Sequence, residues 1–520
     1  MYRPSRRRRP RATDEVLSHD SSGTGTLDEI ASSSDCWEPT PFAKTDIAEY
    51  AKGLVSGYIY STYAVVLKCP LDEPTATINS TQNAPTLDLS ESICVDETTI
   101  RQLLSTAEFI SRLSPLNISY LRALANDILI AIPPGQSYMP IQGLSSLNYP
   151  LDRLALVFAA LAVCCVYPER ERINNNTSAY FSGARYLLNS CTTGPTVDLC
   201  MAYYLQYLFA LRTSSDIQDT TALALAIRTA QALKIHETES SNPQPAKLYL
   251  FLYFHDQCCA MAHNLPPLIK TSDYKPTVFD RVLNEEPDFR PLVDILIANG
   301  RVLEALYGKP CDQSNIRSLE ELMGCVSKSA RKPMQPFLGF DGFNINYEAP
   351  VQIHMFWARI TLRLHNLPTT PDWISSMSIC VRSAQMILLL YFQTYNPKPH
   401  LTPPTQLPQK LAAGLPLLKM EGRMPLTWRQ VKRIITSAFI LVYGYWHGEV
   451  TFEEVCRGTA LALVLHECQR IRWGRDMDGV MGALRDIAGI CGMSVLPHLS
   501  SMLPDVQLGV LKGIAGQGCL

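Results

Sequence analysis

The chain has 520 residues, of which 47% are hydrophobic and 18% are charged, so it holds enough apolar material for a large buried core. Its formal net charge of −2 at pH 7 excludes a global positive field that would draw the whole chain onto nucleic acid. Its 16 cysteines include no CxxC pair, and several lie in apolar helical stretches, so we expect reduced, buried thiols in an intracellular compartment.

The first 40 residues contain a run of arginines and then a stretch rich in serine, threonine, glycine and aspartate. With so little apolar surface this segment cannot offset the entropy cost of ordering it, and it is predicted to be a disordered tail. No apolar segment follows the arginines, so the tail does not resemble a secretory signal. The run is a candidate nuclear-import signal or phosphate-contacting arm, with a solvated basic tail as the alternative. Its arginines are Arg3, Arg6, Arg7, Arg8, Arg9 and Arg11.

Apolar residues recur at spacings of three, four and seven from residue 41 to residue 520. This pattern is the core-facing stripe of an amphipathic helix, and it occurs in every long segment. The longest apolar run covers residues 154–166, which is shorter than the roughly 20 residues that span a bilayer. The clearest later stripes are Leu223, Ala226, Ile227, Ala230 and Leu233; Leu248, Phe251, Leu252, His255 and Cys259; and Val431, Ile434, Ile435, Ala438 and Phe439.

Breaks rich in proline separate the helical segments at residues 70–92, 133–150 and 396–408. Proline lacks a backbone N–H and clashes with the preceding turn, so no helix continues through the last of these breaks. Alternation with period two is rare, and no short repeat period is evident. The sequence therefore predicts an all-α fold, in which residues 41–520 form one large multi-helix domain that does not enter a membrane.

A search of the sequence for chemistry finds no complete catalytic or metal-binding motif. It contains no glycine-rich dinucleotide or phosphate loop and no GxSxG nucleophile elbow. His354 and His365 share a helix face but lie roughly 16 Å apart along the axis, which is too far for one metal ion. Cys456 continues a helical stripe into Ala460, so we expect a buried thiol there and not a haem ligand. We predict that the chain is not an enzyme and holds no metal or cofactor.

Residues 154–276 carry several short motifs in a fixed order. A small, apolar helix around residues 158–162 comes first, and Tyr-Phe-Ser-Gly-Ala-Arg follows at residues 180–185. The third motif is Ala-Ile-Arg-Thr-Ala-Gln-Ala-Leu-Lys-Ile-His at residues 226–236. Phe-Leu-Tyr-Phe-His-Asp at residues 251–256 and a proline turn at residues 265–269 complete the series.

This order and spacing resemble the middle homology region of fungal binuclear-zinc-cluster transcription factors, known as the fungal-specific transcription factor domain. That family has an alanine-rich helix, a Tyr-Phe-x-x-Ala-Arg helix, an Ala-x-Arg-x-Ala-x-x-Leu-x-x-His helix, an aromatic helix ending in aspartate, and a Gly-Arg-Pro-like turn. The resemblance is clearest over residues 154–276 and looser to the C-terminus. Its matching positions, all with expected structural roles, are Tyr180, Phe181, Ala184, Arg185, Arg228, Ala230, His236, Asp256 and Pro266.

The chain departs from the family pattern in three places. The usual Arg-Arg-x-x-Trp-Trp before the aspartate is replaced by residues 247–250, and the turn begins Asn264-Leu265-Pro266. The family also reads DNA with six closely spaced cysteines, whereas here the first two cysteines are Cys36 and Cys69. Thiolates must converge on the ions of such a cluster, so the zinc module is either missing from this gene product or not used by it.

The resemblance implies a nuclear transcription regulator, for example of a fungal secondary-metabolism gene cluster, that acts through its helical domain. Its partners would be other transcription factors or co-regulators, a hydrophobic small-molecule effector, or a second copy of the chain. We expect DNA contact to be weak and salt-dependent, which a mobility-shift titration with promoter and scrambled duplexes tests. The alternative is a biosynthetic enzyme or small-molecule-binding protein that reuses this fold.

Overall fold

The structure is a computed structural model. In the part of the chain that it describes, the segments with apolar residues at helical spacing form fifteen α-helices. Four short 3-10 helices and four strands of two or three residues accompany them. The predicted all-α fold is confirmed. The described residues are 91–105, 107, 115–166, 176–192, 194–213, 219–237, 243–263, 265–307, 317–322, 324, 352–360, 373–395, 398–399, 418–419, 426–446 and 448–516.

The first nine helices precede residue 308. In chain order they are α1 (Glu97–Ser105), α2 (Ile118–Ala131), α3 (Leu151–Val166), α4 (Asn176–Ser190), α5 (Val197–Thr213), α6 (Asp219–Ala232), α7 (Pro243–His263), α8 (Asp280–Glu285) and α9 (Arg290–Tyr307). The 3-10 helices lie among them, at Ile141–Ser146, Thr271–Asp273, Pro276–Val278 and Pro287–Phe289.

Six further helices follow, together with a helical segment at residues 352–360. They are α10 (Trp373–Tyr395), α11 (Trp428–Trp446), α12 (Phe452–Glu467), α13 (Arg470–Ile490), α14 (Leu496–Met502) and α15 (Leu508–Ala515). The sequence Asp476-Met477-Asp478-Gly479 lies inside α13, and Cys456 is buried in α12.

Four short strands form two antiparallel pairs. Strand β1 (Ser92–Cys94) pairs with β2 (Tyr138–Pro140), which places Ile93 opposite Met139. Strand β3 (Lys398–Pro399) pairs with β4 (Leu418–Lys419). Each strand is too short to show the alternation of a half-buried sheet, which is why period two is missing from the sequence.

Local chemistry fixes where several helices begin and end. Asn117 Oδ1 accepts a hydrogen bond from Ser119 N at 2.8 Å and caps α2. At α12, Thr451 Oγ1 accepts from Glu454 N at 3.2 Å, and Glu454 Oε2 accepts from Thr451 N at 2.9 Å, which completes a capping box.

Helix α6 ends at Ala232, and a lysine two residues later adopts the left-handed backbone conformation. Lys234 has a φ of 57°, and it is the one described residue other than glycine with a positive φ. Its N–H donates to Gln231 O at 2.9 Å, while Ile235 N donates to Ala230 O at 3.2 Å. This pair of bonds is the Schellman arrangement, in which glycine is the usual left-handed residue.

The described residues belong to one compact unit, Phe42–Leu520, with two apolar clusters in its core. The first cluster is built from β1 and α1 to α9, with α3 buried on every side. The second is built from residues 352–360 and α10 to α15. Helices α7 and α9 contribute to both clusters, so they lie where the two clusters meet. Among the described residues, no helix is both long enough and apolar enough to cross a membrane.

Candidate functional site

The first group of motif residues, at positions 180–185, lies on α4 and contacts neighbouring elements. Tyr180 is fully buried, and its hydroxyl donates to the backbone oxygen of Cys94 at 3.0 Å. Phe181 stacks on Phe209 of α5, with 4.4 Å between ring centroids. Ala184 is fully buried in the first cluster, while Arg185 is partly exposed. These positions hold helices together.

The second group of motif residues lies at the end of α6. Ala230 is fully buried, whereas Arg228 is exposed and donates to Gln231 Oε1 at 2.9 Å. His236 lies just after the helix, with Nε2 3.3 Å from Glu237 Oε1, and its ring stacks on Tyr249 of α7. The contacts of His236 therefore join the end of α6 to α7.

Asp256 and Pro266 both contribute to the turn that follows α7: Pro266 lies in it, and Asp256, in α7, binds its backbone. Asp256 is 3% exposed, and its Oδ2 accepts from Ile269 N at 2.8 Å, in the turn that Pro266 opens. Leu268 N also donates to this carboxyl group. Burial raises the pKa of Asp256 to about 6 despite these two backbone donors. The motif aspartate thus holds the turn that contains the motif proline.

A different set of polar residues lies buried where the two clusters meet. Helix α11 carries Arg429, Lys432, Arg433 and Thr436 at relative positions 0, +3, +4 and +7, which share one helix face. All four side chains are less than a tenth exposed. The predicted apolar stripe covers the other faces, so residues 431–440 are buried on every side. A buried cationic face of this kind needs neighbours that satisfy it.

Arg429 begins a chain of hydrogen bonds that crosses from the second cluster to the first. Its Nη1 donates to the hydroxyl of Tyr207 on α5 at 2.7 Å, and the guanidinium carbon lies 5.4 Å from the centroid of that ring. The Tyr207 hydroxyl is 2.9 Å from Nδ1 of His255 on α7. Because arginine can only donate, the tyrosine proton is available for Nδ1. Burial, and then the nearby Arg429, Arg212 and His354, hold the pKa of His255 well below its ordinary value.

Arg433 lies one turn further along α11 and faces neutral groups. Its guanidinium carbon is 5.4 Å from the ring centroid of Trp357. His354, whose pKa is lowered first by burial and then by Arg433, and Tyr391 lie nearby. Burial raises the pKa of the Cys258 thiol to about 11, although Arg433 and Arg429 oppose this shift. We call Arg429, Arg433, Tyr207, His255 and His354 the basic seam.

The guanidinium of Arg433 has no anionic partner in the part of the chain that the structure describes. It is 7% exposed, its Nε has no hydrogen-bond acceptor, and no described carboxylate lies within 4.0 Å of it. Arg470 of α13 differs, because it pairs with Glu467 at 3.4 Å and with Asp478 at 2.9 Å. The largely covered Arg470 is thus matched by two acids, and Arg433 by none among the described residues.

The basic seam favours binding over covalent chemistry. Nδ1 of His255 is engaged by Tyr207, and Cys258 is a thiol with a raised pKa, so neither is poised as a base or a nucleophile. Guanidinium groups only donate hydrogen bonds, so the partner that they favour is an oxygen-rich or anionic acceptor. No three His, Cys, Asp or Glu residues of the described ranges are placed to hold a metal ion.

Sequence reasoning did not find this site. Arginine and lysine at helical spacing usually mark a solvated face, and the residues that cover them come from distant parts of the chain. The one available signal was three basic residues, Arg429, Lys432 and Arg433, inside an otherwise apolar helix. The predicted arginine run at the N-terminus (Arg3, Arg6, Arg7, Arg8, Arg9 and Arg11) lies outside the described residues.

Comparison with known proteins supplies no further assignment. No family model matches the chain, and no match was found among curated proteins or among solved structures. The resemblance to fungal transcription factors therefore rests on the motif residues in the sequence alone.

Proposed function

We propose that the chain is a transcription regulator that acts through its helical domain, for example on a fungal secondary-metabolism gene cluster. One observation carries the proposal, which is that the motif helices α3 to α7 pack against one another in chain order with motif residues at the contacts. Helix α3 packs against α4 and α5, α5 packs against α6, and α6 packs against α7. This packing joins the helices that carry the resemblance into one continuous body, which supports a common role for them.

The motif residues at these contacts support the proposal because their roles are specific. Tyr180 bonds to strand β1, Ala184 and Ala230 are small residues in the core, and Asp256 closes the turn after α7. Small residues let helices approach closely, while a buried carboxyl group that accepts backbone N–H bonds fixes a turn.

The part of the chain that carries the resemblance has no closely spaced cysteines of the kind that would build a base-reading zinc cluster. Specific readout needs side chains from a helix or strand docked against base edges. We therefore place regulation in contacts with other transcription factors, co-regulators or a second copy of the chain, within the nucleus.

A tethering assay tests the proposal. The full chain is fused to a heterologous DNA-binding domain in a fungal host that carries a reporter gene with the matching operator. We expect reporter transcription to change at least several-fold relative to the DNA-binding domain alone. A matched fusion with Asp256→Ala, which removes the acceptor for two backbone N–H groups, should lose the effect because the regulatory domain is disrupted.

An unchanged reporter, with the fusion present at a normal level in the nucleus, would count against a regulatory function. The second candidate is a small-molecule-binding protein with the same fold. The buried, acid-free surroundings of Arg433 favour it specifically, and the two candidates are compatible if the small molecule is an effector.

A further inference from the structure

We propose that the basic seam binds an anionic effector, namely a small carboxylate with an apolar or aromatic body, held between the two apolar clusters. This inference rests on the proposed function in one respect, which is that the bound molecule is called an effector. The site itself depends on the burial and the surroundings of Arg433, Arg429 and Thr436.

The charge of Arg433 is the first step of the argument. A guanidinium loses its hydration on burial, and the loss is usually offset by a carboxylate or by full hydrogen bonding. Arg433 has no carboxylate and incomplete hydrogen bonding within the described ranges, since its Nε lacks an acceptor and its neighbours include the neutral groups Trp357, His354 and Tyr391, the last of which is its hydrogen-bond partner. An oxyanion bound at this position would supply both the opposite charge and the acceptors.

The position of Arg433 in its helix is the second, independent step. Arg429 and Arg433 lie in the first two turns of α11, where the helix dipole places partial positive charge. Cations are unfavourable at that end, and anions are favourable, so this part of α11 is set up for a negative ligand. Thr436, one turn after Arg433, is 2% exposed, and its Oγ1 has no hydrogen-bond partner among the described groups.

The surroundings of the two arginines indicate what the rest of the ligand is. Trp357 lies beside Arg433, and Tyr207 lies beside Arg429, each at 5.4 Å from ring centroid to guanidinium carbon. Phe254 contacts the ring of His354 edge to face, at 5.4 Å between centroids. Aromatic walls favour an apolar body, while the forked guanidinium groups match the two oxygens of a carboxylate.

The ligand would also connect the two halves of the core. Tyr207 and His255 belong to α5 and α7 of the first cluster, whereas Arg429 and Arg433 belong to α11 of the second. A molecule that contacts both sides stabilises them in one relative position. This gives the effector a way to change the surface that the domain presents to a partner.

Direct binding to the purified full chain tests the proposal. Thermal unfolding is followed with benzoate or octanoate, with the matched neutral amides benzamide and octanamide, and with inorganic phosphate. The carboxylates should raise the midpoint temperature by roughly 2 °C or more at saturation. The amides and phosphate should not, because the amides lack the charge and phosphate lacks the apolar body.

Two variants at Arg433 and one control make the test specific. Arg433→Met keeps the length of the side chain and removes an unmatched buried charge, so it should raise the midpoint temperature without ligand and abolish the shift with carboxylates. Arg433→Lys keeps the charge but loses the fork, and it should weaken binding roughly tenfold. Arg382→Met removes an exposed arginine paired with Glu454 and should leave the carboxylate shift unchanged.

The outcomes separate this inference from the proposed function. It is overturned if no carboxylate gives a shift that depends on Arg433, if phosphate alone reproduces the shift, or if Arg433→Met unfolds the chain. A carboxylate shift that disappears in Arg433→Met supports it even where the tethered reporter is silent. An active reporter without any carboxylate binding leaves the regulatory function standing and removes the effector site.

Discussion

Asp256 is a nearly fully buried carboxyl group whose pKa is raised to about 6 by burial, against an ordinary value of 3.8. A raised folded-state pKa means that the native chain binds a proton which the unfolded chain has released. The stabilising contribution is therefore complete below pH 4 and is lost as the pH rises through 6. A pKa difference of about two units corresponds to a change of at most about 3 kcal/mol in the free energy of unfolding.

Asp256→Asn tests this linkage, because asparagine keeps the shape and one carbonyl acceptor for Ile269 N but does not titrate. Between pH 4 and pH 7 the unfolding free energy of the parent should fall relative to that of the variant, by up to about 3 kcal/mol, because only the parent loses a proton there. Urea unfolding at several pH values measures it. Curves that stay parallel over this range would show that the carboxyl group ionises at its ordinary pKa.

Lys234 holds a backbone conformation that glycine adopts without strain. Lys234 has a φ of 57° and an exposed side chain just after α6. A left-handed conformation is unfavourable for an L-residue with a Cβ, so it lowers the stability of the native state. Lys234→Gly should raise the unfolding free energy by about 0.5 to 1 kcal/mol, after allowance for the greater entropy of unfolded glycine. Chemical denaturation is the measurement. Lys234→Ala is the control and should change stability little, since alanine keeps the strain.

At the scale of the helices, two glycines show how close packing between helices affects stability. A Cβ at Gly458 of α12 would overlap the side chain of Leu441 on α11, which is itself buried and has little room to move. Gly458→Ala should lower the unfolding free energy by roughly 1 to 3 kcal/mol.

Gly482 lies in the middle of α13, and a Cβ there meets nothing within 4 Å. Gly482→Ala should therefore raise stability by about 0.5 to 1 kcal/mol, through helix propensity alone. The pair is measured in one denaturation series. Equal effects of the two substitutions would mean that close packing of α11 against α12 is not what keeps glycine at position 458.

The helices themselves were predictable from the sequence, but the site on α11 was not. The stripe that includes Val431, Ile434 and Ile435 indicated the correct helix, and these residues are fully buried. The pattern gave no prediction for the face that carries Arg429 and Arg433, which the structure buries as well. Helical periodicity reports on one element, whereas burial of that face depends on Tyr207, which is 222 residues away in sequence.

At the scale of the whole molecule, the net charge of −2 gives no general attraction for negatively charged partners. Recognition by positive charge therefore depends on local groups of basic residues, such as the arginine run at residues 3–11. We predict that Arg6, Arg7, Arg8 and Arg9 drive nuclear import. Replacing these four residues by alanine in a fluorescent fusion should shift the signal from nucleus to cytoplasm. A control fusion that loses four exposed basic residues of the helical part instead, Arg228, Lys234, Lys270 and Arg382, should remain nuclear. Import that persists without the run would contradict the prediction.

The separation of 222 residues between Tyr207 and Arg429 also has a consequence during synthesis. At about 5 to 20 residues per second, the ribosome completes α5 roughly 10 to 40 s before α11 emerges. Within this interval α6 to α9 are made and the first cluster can form, while the surface around Tyr207 and His255 still has no covering helix. The nascent chain thus presents an aromatic surface to chaperones until α11 is made. A ribosome-bound chain that stops before Leu426 should accordingly cross-link to chaperones more strongly than one that extends beyond Trp446.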